Sequence, residues 1–432
     1  MISPAFVSLE LPQGWEIAPL KAFAKFSVSN VDKISKEGES SVRLCNYTDV
    51  FKNDFISAST MKFMKSTASE TEIDKFGLNE NDVVITKDSE AWDEIAIPAL
   101  VADTASDLVC GYHLAILRSN EKFLLGRFLF RCLQSKAVRL ELELESKGVT
   151  RFGLPKGAIG ELKLPIPPLA HQQVISTYLD RETDEIDALI AEKQRMLELL
   201  EEKRAALVTQ AVTQGLNPRV AKKPSGLPWL GDVPKHWDVM RCAALFTQLD
   251  ERGEGHLPLL LVSINSGVSL RQFSEDRIER VMADADTYKI ARQGQLAFNK
   301  MRFWQGAAGI APEDGLVSPD YTVAKFNKEE LQPRYVELLM RIPTFSNEVR
   351  RYSHGIVDDR LRLYWDEFKD IQIPVPPYDE QVKISNHIDV KLEENSEVTV
   401  VLNQSIELLK ERRSALITAA VTGQIPLEKM EI

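Results

Sequence analysis

The chain has 432 residues, 44% hydrophobic and 27% charged, with a formal net charge of -11. That composition excludes a disordered chain, and the length asks for two or three cores at roughly 100 to 200 residues per domain. No apolar run nears the roughly 18 to 20 residues that span a bilayer, and the opening MISPAFVSLELPQGW lacks the basic and apolar blocks of a leader peptide, so a cytoplasmic protein with no membrane partner is expected.

Residues 1–163, with 20 basic and 23 acidic side chains, read as a first globule. Short alternating runs such as DVVITK predict strands, and KFLLGRFLFRCLQS predicts a helix. The stretches DVVITKDSEAWDEIAIPALV and LVCGYHLAILR place Lys87, Asp88, Ser89, Tyr112 and His113 at strand ends, where polar side chains could meet a ligand. A packed or capped role is the competing reading for His113. Residues 164–216, 5 basic and 9 acidic, open on prolines and then run about 43 residues without Pro or Gly. Such a run predicts one helix of roughly 65 Å.

Residues 217–372 form a second globule with 22 basic and 22 acidic side chains, 14 of the former arginine. LLLVSI and GQLAFNK predict strands in it. The stretch GQLAFNKMRFWQGAAGIAPEDGLVSPDYTVAKF interleaves Lys300, Arg302, Trp304 and Gln305 with glycines and ends in Ser318, Pro319 and Tyr321. Arg and Lys bond guanine edges, Asn and Gln bond adenine, and Gly lets a backbone approach a phosphate, so this is a candidate reading loop. Structural or solvated roles compete for each residue, and Trp304 also fits a core. Residues 373–432, 6 basic and 10 acidic, repeat the proline-led helix. The acidic excess thus lies largely in the two helical segments, which leaves room for a basic face on the neutral globule.

The repeat organises the whole chain. Residues 164–214 align without a gap on 373–423, with 19 of 51 pairs identical. They include Pro165/Pro374, Gln172/Gln381, Asp180/Asp389, Arg204/Arg413, Leu207/Leu416, Thr209/Thr418 and Ala211/Ala420. A weaker echo pairs LPQGWEIAPL with VPKHWDVMRC, matching Trp15 to Trp237. The order is globule, helix, globule, helix: a tandem duplication. Leu179, Ile186, Leu189, Met196, Leu200 and Leu207 recur at helical spacing in one copy, and Ile388, Leu402, Leu409 and Leu416 at sevens in the other. One such helix would be an ordinary core element. Two matched copies predict two long antiparallel helices in an intramolecular coiled coil joining two α/β (α+β) domains with short, mainly antiparallel strands. Lys193 and Asn395 interrupt the stripes, either to fix register or by simple exposure.

Several chemistries lack their residues. No GxxxxGK[ST] run cradles a nucleotide phosphate. Val375-Pro376-Pro377-Tyr378 mimics the NPPY loop of amino-methyltransferases but has Val where the target amine needs Asn or Asp. Glu145-Ser146-Lys147 and Glu201-Glu202-Lys203 fit half of a nuclease motif without its upstream Pro-Asp. Cys45, Cys110, Cys132 and Cys242 form no CxxC and have no nearby His pair, so reduced buried thiols and no metal site are expected. No catalytic residue is assigned.

The GW and HW openings at Trp15 and Trp237, the PIPPLAHQQ and PVPPYDEQ helix entries, the helix ends from Glu202 to Thr213 and Glu411 to Thr422, and the FNKMRFWQG…GLVSPDY run together resemble the specificity subunits of Type I restriction-modification enzymes. They cover nearly the whole chain, with His171 departing from the Glu380 of the other copy. The resemblance implies that each globule is a target recognition domain gripping one half of a bipartite site in double-stranded DNA. It implies helices that act as a ruler, and paired readers on a rigid element suit half-sites about 10 to 10.5 base pairs apart. It also implies two modification subunits that methylate adenine with S-adenosylmethionine and two restriction subunits that supply ATP-driven translocation and Mg-dependent cleavage. No cofactor is then expected on this chain. The alternative is a non-enzymatic scaffold whose globules bind proteins, and salt dependence of DNA binding separates the two.

Overall fold

A computed structural model describes residues 11–254, 256–271, 287–327, 331–355 and 361–430. Residues 1–10 of the opening read above for a leader lie outside this set. Two compact units emerge, one built from 1–193 with 403–432 and the other from 194–402. Each therefore takes one globule and a share of both long helices.

In the first unit the strands run in the order Ala24–Val28, Leu114–Ser119, Val83–Thr86, Pro98–Asp103 and Phe55–Ser57. All neighbours are antiparallel except the last pair. Val83–Thr86 is buried throughout, as a central strand covered on both faces must be. Its residues alternate: Val83 and Ile85 pack with Phe128, Leu129 and Cys132 of the helix Gly126–Gln134, whereas Val84 packs with Val42 and Leu44 of a smaller sheet.

The second unit repeats this plan with Phe246–Leu249, Tyr321–Phe326, Leu296–Asn299 and Ala308–Ile310 in sheet order. Leu296 and Phe298 face one cluster and Ala297 the other. Register makes the match specific, since Thr86 pairs with Leu114 as Asn299 pairs with Tyr321. Each globule is closed by a ribbon of its own ends, Glu16–Pro19 on Lys163–Ile166 and Asp238–Arg241 on Gln372–Val375. The ribbon leads straight into the prolines and the helix.

The helices are Leu169–Gln214 and Tyr378–Val421, 46 and 44 residues. In the first unit the start of one lies beside the end of the other, and Arg413 bonds Asp187. Ile175, Leu179, Ile417, Ala420 and Val421 share one core with Trp15. The second unit does the same with Ile384, Ile388, Ala211, Val212 and Trp237. Each helix stops at a glycine in the left-handed region, Gly215 at φ +76° and Gly423 at φ +75°. A Cβ at Gly423 would strike Pro12 at 2.5 Å.

Of the seam residues, Leu179, Ile186, Ile388 and Leu402 are buried, and Leu200, Leu207, Leu409 and Leu416 are half-buried. Leu189 and Met196 are exposed, at 46% and 48%. Lys193 and Asn395 are half-buried.

The repeated identities now have reasons. Gln172 Oε1 accepts from the backbone N–H of Leu125 at 2.8 Å while its Nε2 donates to the Pro167 carbonyl at 2.8 Å. Gln381 does likewise with Gln332 and Pro376, at 2.9 and 2.8 Å. Asp180 takes Arg127 and Asp389 takes Arg334, at 2.6 and 2.7 Å. These bonds lock each globule's helix to the helix that follows it. One pair differs: Trp237 Nε1 donates to Glu380 at 3.1 Å, but with His171 in the equivalent place, neither Trp15 Nε1 nor His171 Nδ1 has a hydrogen-bond partner among the described residues.

Candidate nucleic-acid interface

Strand Val83–Thr86 ends at Lys87 and its neighbour begins after His113, so the period of the sheet brings these residues to one edge. Asp88 is the hub. Its Oδ1 accepts from Lys87 Nζ and its Oδ2 from His113 Nδ1, both at 2.9 Å. With Nδ1–H donating, His113 Nε2 is left to accept from Arg151 Nη2 at 2.8 Å. Burial pushes the Asp88 carboxyl up, but hydrogen bonds from His113 and Lys87 and their charges pull it below the ordinary carboxylate value. The carboxylate is thus charged, and it holds Lys87 directly and Arg151 through the His113 ring.

His113 sits at φ +74°, a strained position for a residue with a Cβ, and its ring centre lies 3.8 Å from that of Tyr112. Tyr112 is exposed at 49%. Ser89 is buried, and its hydroxyl is engaged by Glu94 at 2.5 Å and Tyr47 at 3.1 Å, so it shapes the wall. Asp88, Ser89, His113, Arg151, Tyr47 and Glu94 line an open concavity of about 440 Å³.

Arg151, Tyr47 and Glu94 escaped the sequence reading. Phe152–Gly153 pairs antiparallel with Asp88–Ser89 and so delivers Arg151 to the hub. Two-residue strands leave no periodic signal, and no spacing rule links positions 113 and 151.

In the second unit Lys300 follows strand Leu296–Asn299 as Lys87 follows its counterpart, and Tyr321 opens the neighbouring strand. Around them stands a charged cluster that the sequence did not single out. Asp250 accepts from Arg252 Nε at 2.9 Å and lies 3.8 Å from Lys289 Nζ. The hydrogen bond from Arg252 holds the Asp250 carboxyl below its usual range, with Lys289 and Lys300 adding to the pull. Burial lowers the Lys289 ammonium, as do Lys300 and Arg252 against the opposing Asp250. Three cations thus share one carboxylate, a local positive field in a globule that is neutral overall. Burial raises the Tyr321 phenol, partly offset by Arg271, a hydrogen bond with Asn299, and Arg302.

The loop after Lys300 folds on itself. Phe303–Gln305 makes one tight turn closed by Gly306 at φ +93°. Arg302 Nη1 donates to Gln305 Oε1 at 3.2 Å, and Trp304 Nε1 to the Met301 carbonyl at 3.0 Å. Trp304 packs on the core with the Arg350 guanidinium 5.4 Å from its ring centre, while Arg302 and Gln305 are exposed. Ser318 is half-buried near the turn into Tyr321. Gly309 and Gly315 admit neighbouring backbone, at Val268 and Pro258, rather than opening a path to a ligand.

All four cysteines are free and buried. No helix among the described residues is long and apolar enough to cross a membrane.

Two alike α/β units, each packed on the start of one long helix and the end of the other, each present a polar rim at the same sheet edge. The sequence pattern of the family described as "Type I restriction modification DNA specificity domain" matches residues 12–199. The Escherichia coli EcoKI specificity subunit is 20% identical, over 96% of this chain and 90% of its own length. The putative MjaX specificity subunit of Methanocaldococcus jannaschii is 20% identical, over 96% and 95%. Among solved structures, the HsdS subunit from Thermoanaerobacter tengcongensis shares the fold at a TM-score of 0.51 with 14% identity, over 97% of this chain and 99% of that one. A chain from a study of complex assembly and conformational transition of the Type I system shares it at 0.65 with 13% identity, over 96% and 100%. The chain is thus similar over nearly its whole length to specificity subunits of Type I restriction-modification systems, and residues 12–199 carry that family's pattern.

Proposed function

We propose that each unit reads one half of a bipartite, asymmetric site in double-stranded DNA, and that the chain supplies the address while partner subunits supply the chemistry. The observation that carries this reading is the matched register. Thr86 and Leu114 hold the places of Asn299 and Tyr321, so Lys87 and Lys300 leave the same sheet edge in two units of otherwise unlike sequence. A constant scaffold with a varied polar rim is what two readers of different half-sites need. Lys87, Asp88, Tyr112, His113 and Arg151 form one rim, and Lys300, Arg302, Gln305, Ser318 and Tyr321 the other, with Ser89 and Trp304 as supports.

In this reading the long helices set the unspecified spacer and carry two modification subunits, with two restriction subunits joining them. Exposed apolar side chains on the helices support docking: Leu408 at 64% in one unit, and Val400 and Val401 at 52% and 63% in the other. S-adenosylmethionine, ATP and Mg belong to the partners, and the target adenine is flipped into the modification subunit.

The test is co-purification with the modification subunits, followed by mapping of methylated adenines in DNA from cells carrying both. A bipartite methylated motif that disappears when this chain is deleted supports the reading. A stable complex that methylates nothing, or DNA binding without a steep salt slope, removes it and leaves the scaffold. Replacing residues 217–372 by a foreign head should change one half-site only.

A further inference from the structure

Each unit holds one copy of a repeated arginine, Arg413 in the first and Arg204 in the second. Arg413 is enclosed by carboxylates. Its Nη2 donates to Asp54 at 2.5 Å, and its Nε lies 3.0 Å from Asp187. Gln134, at the end of helix Gly126–Gln134, donates to the same Asp54 oxygen at 2.9 Å. The helix Pro333–Met340 is that helix's counterpart, because Leu125 and Gln332 cap the two and bond the matched Gln172 and Gln381. Counting from those caps puts Arg341 where Gln134 stands.

The acids do not recur. Ser396 occupies the repeat position of Asp187. Where Asp54 leads into a strand beside Pro98–Asp103, the second unit sets the stretch 263–270 (SINSGVSL) beside Ala308–Ile310, with Val268 against Gly309. That stretch has no acidic residue. In place of the carboxylates is a cavity of about 290 Å³ whose lining includes Arg204, Arg334, Arg341 and Asn265.

Two acids also line it, and neither fills the gap. Glu337 is taken by Arg334 at 2.8 Å, and Arg334 is further met by Asp389 at 2.7 Å. Glu201 lies 3.5 Å from Arg204 as an exposed pair one turn apart, a weak arrangement. Arg341 donates to the carbonyls of Ile264 and Asn265. Burial pushes its guanidinium below the usual arginine value, Glu337 opposes this, and Arg334 and Arg204 reinforce it. The cavity is thus short of negative charge where the other unit has a built-in carboxylate.

We propose that this cavity is a carboxylate-binding site, filled by an acidic side chain of a partner protein that takes the place Asp54 holds in the other unit. Ala205, Val208, Leu338 and Leu392 supply aliphatic walls, which suit the stem of a Glu or Asp and its apolar neighbours more than a hydrated phosphodiester. The floor belongs to an acidic helix, which repels a polyanion. The inference rests on the reading that partner subunits dock on the helices.

The test uses the full chain and two variants: Asn265→Asp, which supplies an internal carboxylate at the rim, and Arg204→Gln, which removes a receiver. Chloride replaced by acetate at constant ionic strength should raise the melting temperature of the wild type and leave both variants unmoved. Asn265→Asp alone should melt higher than wild type, which excludes misfolding as the cause of lost binding. Both variants should weaken the complex with the modification subunits by about tenfold, with DNA affinity kept. An absence of acetate stabilisation overturns the site, whether or not a complex forms. Acetate stabilisation with unchanged partner affinity overturns the partner-protein occupant, and weakened DNA binding instead assigns the site to a phosphate. Failure of the wild type to bind the modification subunits at all refutes the docking reading and with it this occupant.

Discussion

Asp88 is the side chain whose loss should separate positioning from folding. Its side chain is 14% exposed and accepts from both Lys87 and His113 at 2.9 Å. Asn keeps the size and one acceptor oxygen but loses the charge, so one bond is lost and the other becomes neutral. A hydrogen bond to a charged group contributes about 1.5–3 kcal/mol, and solvent near the rim discounts it, so Asp88→Asn should destabilise the first unit by about 2 kcal/mol. Freed from the hub, Lys87 and, through His113, Arg151 lose their fixed positions. One good bidentate base contact discriminates by about 1–3 kcal/mol, so specificity at one half-site should fall about tenfold.

Competition binding by the assembled complex, with single-base changes across both halves of the mapped motif, reads this directly, and urea melts give the stability change. Loss of discrimination in both halves, or a stability loss with no change in discrimination, would refute the positioning role. The acid limb offers a second check. Because the folded Asp88 value is depressed, its contribution is full above the unfolded carboxylate value of about 3.9 and is lost as pH falls through the lower folded value. The gap between wild type and Asp88→Asn should therefore be constant near neutrality and close in acid below about pH 4.

Three further outcomes are expected. His171→Glu, copying Glu380, should give Trp15 Nε1 an acceptor and stabilise the first unit by about 1 kcal/mol in a urea melt, and a destabilised variant would show that the two helix entries are not equivalent. Inserting one heptad near Leu200 should change the spacer of the methylated motif while both half-sites stay the same, and an unchanged spacer would remove the ruler. Burial raises the thiols of Cys45, Cys110, Cys132 and Cys242, so the native chain should leave all four unreacted with maleimide at neutral pH, and fast labelling of any one would contradict its burial.

The helices and the duplication were legible because both leave periodic signals: proline entry, a run free of Pro and Gly, apolar residues at sevens, and a constant offset of identities. The strands DVVITK and GQLAFNK were legible for the same reason, as Val83–Thr86 and Leu296–Asn299 confirm. What stayed hidden is what depends on distant pairing. Arg151 reaches His113 only through a two-residue strand, and Asp250, Arg252 and Lys289 converge from separate strand ends. The sevens also overstated the seam: Leu189 and Met196 fit the spacing yet are exposed, because periodicity marks a face but not whether anything covers it. The loop at Trp304 carried the right residue types for base contact, but the indole is spent on its own turn and on the core.

The duplication has a consequence for folding. Each helix is most alike its copy at its far end, and that end does not serve the globule that precedes it. Ile417, Ala420 and Val421 lie in the core of the first unit with Trp15, Ile175 and Leu179, although the second globule stands between them in the chain. Ile417, Val421 and Met430 are 1%, 0% and 4% exposed, and burying each such side chain contributes about 1.5–3 kcal/mol. Removing residues 410–432 should therefore cost the first unit about 5–8 kcal/mol, of the order of the whole stability of a domain. The second unit closes on Ala211, Val212, Ile384 and Ile388 and keeps all of them. Hydrogen exchange decides the point. In the truncated chain the amides of Val83–Thr86 should lose protection while those of Leu296–Asn299 keep it. Equal loss in both strands would mean that the two units fold as one, and loss confined to Leu296–Asn299 would mean that each helix end serves its own preceding globule after all.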